Sequence, residues 1–222
     1  MRLLKLMIKI LLACLVPVVL VFLGLRVLLT SGFLSVEYRM PGFPRDQYGF
    51  SQSDRLEYSN IALNYLLNDA DINFLANQHF TDGTPLFNSR ELSHMVDVKN
   101  VVKPSLTIGY LACGLFVLIG IVLYLSKSIP LLIKGIRLGA WVLLGLIASI
   151  GIFALVSFWN FFAAFHSLFF QGESWIFSYS DTLIRLFPLR FWQDAFILEG
   201  IIVVGLSTLI LVLTRPKQKE PA

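Results

Sequence analysis

Four long apolar stretches constrain this chain more than any other feature: about Met7–Leu29, Leu106–Leu125, Leu138–Phe158 and Phe196–Leu213. A hydrocarbon core about 30 Å thick takes roughly 20 apolar residues of helix to cross, and each stretch meets that length. The chain is 56% hydrophobic and only 14% charged, with a positive mean hydropathy, a balance that soluble domains of its length rarely show. The expectation is an all-α integral membrane protein with four transmembrane helices.

The first stretch follows Arg2, Lys5 and Lys9, as a signal peptide would, but it is too long for one and no small-x-small cleavage site follows it. "LLAC" at Leu11–Cys14 has the form of a lipobox. Lys9 leaves four apolar residues before Cys14, short of the roughly 7–15 that an h-region needs. Cys14 and Cys113 fall within spans at different depths, so they read as small buried hydrophobes without a disulfide.

Basic residues set the expected orientation, because short cytoplasmic loops are enriched in Lys and Arg. Arg2, Lys5 and Lys9 precede the first span, Lys127, Lys134 and Arg137 join the second and third, and Arg215, Lys217 and Lys219 follow the fourth. Glu220 is the single acid in those segments, whereas the segment between the first two spans carries Glu37, Asp46, Asp54, Glu57, Asp69, Asp71, Asp82, Glu91 and Asp97. Both termini are expected in the cytoplasm. The net charge of +4 is then topological, and no nucleic-acid partner is implied.

The domain plan is a first span over 1–29, a small extracellular cap over 30–103, a second span over 104–125 and a cytoplasmic turn over 126–137. The third span over 138–158, an interfacial extracellular loop over 159–195, the fourth span over 196–213 and a cytoplasmic tail over 214–222 complete it. The cap opens with an extended-looking "FLSVEY" and the turn-rich "MPGFPRDQYGF". Ser53 and the residues after it predict a helix. Asn88 with Glu91 three residues on is a capping-box pattern that starts another near Ser89, running toward a kink or break at Pro104. The second outer loop is packed with Phe and Trp, as segments at headgroup level are.

The histidines all lie in the outer segments, and His94 and His166 are expected at one depth near the lipid boundary. Two imidazoles that face each other can serve as base and acid in one reaction, or each can simply bond a headgroup or a carbonyl. Arg90 and Glu91 share a helix face with His94, and Asp97 is placed to orient its ring; ordinary ion pairs on a solvated face explain the same spacing. A metal held by both histidines and Asp97, Glu91 or Glu173 lacks the tight His spacing such sites use, so no metal is expected. A serine elbow is absent, Ser93 and Ser167 point away from their neighbouring histidines, and neither thiol has a nearby base. Arg185 is placed to meet a phosphate or an ester carbonyl, or to snorkel.

"LFNSRELSHMVDVK", "FHSLFFQGESWIF" and "DTLIRLFPLRFW" together resemble the lipoprotein intramolecular transacylases of low-GC Gram-positive bacteria, in architecture over the whole chain. The resemblance implies an acyltransferase of the cell membrane that moves the sn-2 acyl chain of a diacylglyceryl lipoprotein to the α-amine of its N-terminal cysteine, giving a lyso-form product. It implies diacylglyceryl-modified lipoproteins and membrane lipid as partners, no cofactor, an active site at the outer leaflet, and His94 and His166 as its motif histidines, with His79 structural. Donor and acceptor then belong to one molecule, so positioning replaces an acyl-enzyme. On that reading His166 takes the amine proton, His94 serves the sn-2 oxygen, and Arg90, backbone amides near Gly172 or Tyr179 are oxyanion candidates. The competing reading is a non-catalytic membrane protein that binds or senses lipid or lipopeptide; a transporter is weaker, with Arg26 the only charge placed well inside a span.

Overall fold

The computed structural model describes residues 2–170, 172 and 174–216, and among them the chain forms helices joined by turns, with one isolated bridge between His79 and Pro85. In order these are α1 (Arg2–Leu28), α2 (Ser31–Glu37), α3 (Gln52–Leu67), α4 (Asn73–Ala76), α5 (Ser89–Leu125), α6 (Ile129–Val156), α7 (Phe158–Phe169), α8 (Thr182–Leu186) and α9 (Leu189–Leu213). Helices α1, α5, α6 and α9 are long and apolar enough to cross a membrane, as the four stretches predict. The residues group into two compact units, Met1–Leu25 with Thr107–Phe153 and Leu198–Ala222, and Arg26–Leu106 with Ala154–Ile197.

The first unit is organised around α1, the most enclosed of the four spans. Val16, Leu20, Leu143 and Val203 form one buried cluster, and Leu15, Val19 and Ala112 another, with Phe116 packed against both. Lipid tails are as apolar as leucine, so helices in a bilayer associate through close packing, which small residues permit. Gly135 lies against Leu12, Gly139 against Val16 and the Ala13 backbone, and Gly109 against the Phe22 ring. A β-carbon on Gly139 would stand 3.0 Å from the Ala13 carbonyl oxygen, which cannot rotate away. Gly139→Leu should therefore lower the thermal midpoint in detergent by the equivalent of about 1–3 kcal/mol, while Gly145→Leu, where nothing lies within 4 Å, should leave it unchanged.

Several boundaries differ from those expected. Helix α5 continues through Pro104, so the polar 89–103 segment and the apolar run from Leu106 belong to one helix of 37 residues. It ends in a Schellman turn: the Ser128 amide reaches the Leu123 carbonyl and the Lys127 amide that of Tyr124, with Lys127 at φ 54°. Helix α6 then begins at Ile129, which puts Lys134 and Arg137 inside a helix instead of a turn. Arg137 donates to the Leu211 carbonyl. Both cysteines are free, and Cys14 is exposed instead of buried. Glu199 lies in the fourth apolar stretch against Gly24, so Arg26 is not the only charge within a span.

The second unit is held by Ala62, Tyr65, Leu75, Leu86, Phe87, Met95, Leu183 and Leu186. "FLSVEY", expected to be extended, is largely helix α2, because Thr30 caps it by accepting from the Phe33 amide. Helix α3 starts one residue after Ser51, whose hydroxyl accepts the Asp54 amide while the Asp54 carboxylate accepts the Ser51 amide. The aromatic second loop contains helix α7, capped by Ser157.

Candidate active site

The N-terminal turn of α5 forms as its spacing predicts. Asn88 Oδ1 accepts the amides of Arg90 and Glu91, and Glu91 Oε2 accepts the Asn88 amide at 2.7 Å. This fixes the face on which His94 sits, one turn further along and well before the apolar run begins at Leu106. Glu91 is 1% exposed, and its second oxygen accepts the Leu183 amide at 2.6 Å. Thr182 donates its hydroxyl to the Leu86 carbonyl at 2.6 Å. Glu91 is thus a staple between α5 and α8 and makes no bond to His94. Burial raises its pKa, against the pull of the backbone amides that donate to it.

His166 projects from the last turn of α7 and is 7% exposed; His94 is 8% exposed. The structure brings both imidazoles onto one ring, that of Phe170, at centroid distances of 4.9 Å for His94 and 5.6 Å for His166. Phe177 closes the far side of His94 at 5.3 Å, and Phe162, Trp175 and Trp192 enclose His166 at 4.0, 4.7 and 6.4 Å. The aromatic content of this loop was visible in the sequence, but not that Phe162, Phe170, Trp175, Phe177 and Trp192 gather around two imidazoles.

The two rings differ in their hydrogen bonding. Nδ1 of His166 lies 2.8 Å from the Phe162 carbonyl, which only accepts, so Nδ1 carries the hydrogen and Nε2 keeps the lone pair. Nδ1 of His94 is buried and bonds nothing among the described residues. Burial pushes His94 down to about 4, and the neighbouring His166 adds to the effect by disfavouring a second positive charge. Burial also lowers His166, against the Phe162 carbonyl, which favours its charged form. Both rings are neutral at pH 7.

That arrangement has a consequence for stability. The unfolded chain protonates His94 near its ordinary 6.5 and the folded chain only near 4, so between those values the unfolded state binds more protons. Stability should therefore fall as the pH drops through that window. Thermal unfolding in detergent at pH 7 and pH 5 should show a lower midpoint at pH 5, with a smaller difference in His94→Phe.

The other residues singled out in the sequence lie elsewhere. Arg90 is exposed and reaches the Ile176 carbonyl at 3.3 Å, steadying the loop that carries Trp175 and Phe177. Asp97 bonds nothing among the described residues and does not orient His94. Tyr179 is 82% exposed and touches neither histidine. Gly172 sits in the turn between Phe170 and Trp175 at φ +64°, with no atom within 4 Å of a built β-carbon. Arg185 is engaged by Asp46, through Nε at 3.2 Å and Nη2 at 3.0 Å, and lies 3.3 Å over the Phe50 ring. His79 is exposed, with Nδ1 3.0 Å from the Asn77 carbonyl. Among the described residues no three His, Cys, Asp or Glu side chains converge; Glu173, weighed as a ligand, lies outside them.

A chain of this kind is an all-α, multi-pass integral membrane protein with two buried imidazoles that share the Phe170 ring. Residues 9–192 match the family model of the lipoprotein intramolecular transacylase Lit, so the chain belongs to that family and is an acyltransferase. An uncharacterized protein of Aquifex aeolicus is 29% identical over 211 residues, 92% of each chain. The membrane-integral lipoprotein intramolecular transacylase of Bacillus cereus superposes with a TM-score of 0.75 at 19% identity, covering 97% of this chain and 96% of that one. A histidine-to-alanine variant of the same Bacillus protein superposes at 0.68 with 19% identity, covering 96% and 92%. At those identities the solved structures establish a shared fold.

Proposed function

We propose that this transacylase moves the sn-2 acyl chain of a diacylglyceryl lipoprotein to the α-amine of the same molecule's N-terminal cysteine, with His94 and His166 as its catalytic pair. The amine nitrogen attacks the sn-2 carbonyl carbon, the new N–C bond forms, the C–O bond to glycerol breaks, and one proton passes from nitrogen to the departing oxygen. Nothing else is consumed, so the site needs only to hold the two groups together, move that proton and stabilise the oxyanion.

The observation that carries this reading is the difference in bonding between the two imidazoles. His166 presents a bare Nε2, as a base for the amine requires, while its Nδ1–H is anchored on a carbonyl that also stabilises the imidazolium formed. That proton then goes to the glycerol oxygen. His94, held neutral by burial, serves that oxygen by hydrogen bonding from its N–H, not as an imidazolium. The rings of Phe162, Phe170, Trp175, Phe177 and Trp192 exclude water, which would otherwise hydrolyse the ester. The basic residues around the spans support cytoplasmic termini, with the site at the outer leaflet and residues 30–103 as its extracellular cap.

A synthetic diacylglyceryl-cysteine lipopeptide incubated with the purified protein should yield an N-acyl-cysteine fragment in tandem mass spectrometry. The same peptide with its α-amine acetylated should remain unchanged. Release of free fatty acid from either peptide would instead mark a lipase.

A further inference from the structure

Outside the histidine box, the second unit holds a cavity of about 350 Å³ lined by Tyr38, Phe43, Arg45, Asp46, Gln52 and Arg55 among others. We infer that this cavity binds the phosphodiester of an anionic phospholipid headgroup, through Arg45 and Arg55 beside the N-terminus of α3.

Arg55 carries the argument. It is 6% exposed, yet only Nη1 makes a hydrogen bond, to the Pro44 carbonyl at 2.5 Å. Nη2 stands 3.9 Å from Asp46, beyond hydrogen-bond length, and Nε is buried without a partner. A guanidinium has five donors, and here Nη1 bonds a carbonyl while Nε is buried without a partner. Asp46 offsets part of the Arg55 charge from 3.9 Å but does not hydrogen-bond it. Its carboxylate is 2% exposed and is taken by Arg185 and by the amides of Tyr48 and Phe50. Arg45 is exposed and bonds nothing among the described residues.

The third contribution is the start of α3, where Ser51 and Gln52 line the cavity. A 16-residue helix presents its positive end there, and Asp54, which caps that end, does not line the cavity. The guanidinium fork of Arg45, Nη2 of Arg55 and a helix N-terminus suit a tetrahedral oxyanion with several acceptor oxygens. The position favours a lipid source. The Tyr38 ring packs on Phe191, in the first turn of the spanning helix α9, at 6.3 Å, and Tyr38 donates to the Leu186 carbonyl at 2.9 Å. The cavity wall thus touches a membrane helix near its end, where phosphodiesters are the abundant anions.

The test is native mass spectrometry of the full chain, purified in detergent and titrated with dioleoylphosphatidylglycerol, with dioleoylglycerol and with inorganic phosphate. Phosphatidylglycerol should bind, and Arg45→Gln and Arg55→Lys should each weaken it by about tenfold, the size of one charge-assisted hydrogen bond, with phosphate competing. Arg45→Gln is at the surface and remains readable if Arg55→Lys impairs folding. Equal binding by the wild type and Arg45→Gln, or dioleoylglycerol binding as tightly as phosphatidylglycerol, would overturn the inference. Phosphate binding without phosphatidylglycerol binding would overturn the lipid assignment.

Discussion

Alanine at His166 should cut the rate of acyl transfer by about 10³-fold, and alanine at His94 by about 10²–10³-fold, the range that positioned proton transfer and oxyanion hydrogen bonding supply. The two losses have different origins. Without His166 the box keeps the imidazole of His94, which burial makes a weak base, while Glu91 is spent on backbone amides. Asparagine at position 166 restores a polar side chain but not a base, so it should fail as completely as alanine. At position 94 the requirement is a donor, so His94→Gln should retain more activity than His94→Ala. In the wild type the acid limb of the pH–rate profile should lie below the ordinary imidazole value of 6.5, because burial lowers the His166 pKa and the rate rises as that ring loses its proton. Equal rates for His94→Gln and His94→Ala would remove the hydrogen-bonding role assigned to His94.

The largest loss of stability is expected from Glu91→Ala, about 3–5 kcal/mol. The side chain is 1% exposed, and its removal leaves the Asn88 and Leu183 amides without acceptors while undoing the cap of α5. The staple between α5 and α8 would open. Glu91→Gln keeps one acceptor and turns an NH2 group toward an amide donor, so it should lie between alanine and wild type in thermal midpoint. Both variants should retain the pH dependence of residual activity. A Glu91→Gln variant with wild-type stability and a displaced pH–rate profile would mean that Glu91 acts on the chemistry instead of the fold.

The four spans were legible because lipid imposes a length and a composition that no other environment demands. Their ends were less so. Pro104 reads as a kink or a break, and the helix does not end there; Lys134 and Arg137 read as a loop, yet Arg137 finds the Leu211 carbonyl inside the first unit. "FLSVEY" looks extended by its aromatic and β-branched residues, and the Thr30 cap overrides them. At the candidate site His94 and His166 were singled out, while their surroundings depended on contacts distant in sequence. No spacing tells that Phe170 touches both rings, that Arg185 is taken by Asp46, or that Tyr179 faces outward. The different bonding of the two imidazoles is the property least accessible from sequence, since it rests on the Phe162 carbonyl one helical turn from His166.

The central claim, transfer within one molecule from sn-2 to the α-amine at the paired histidines, is tested most directly by an isotopic crossover. Two lipopeptides of different peptide mass, one deuterated only in its sn-2 chain, are mixed with the purified protein and fragmented by tandem mass spectrometry. Deuterium should appear in the N-acyl-cysteine fragment of the labelled peptide alone, and in neither peptide with His166→Ala. Deuterium on the unlabelled peptide would contradict intramolecular transfer, and an unlabelled N-acyl group on the labelled one would contradict the sn-2 origin.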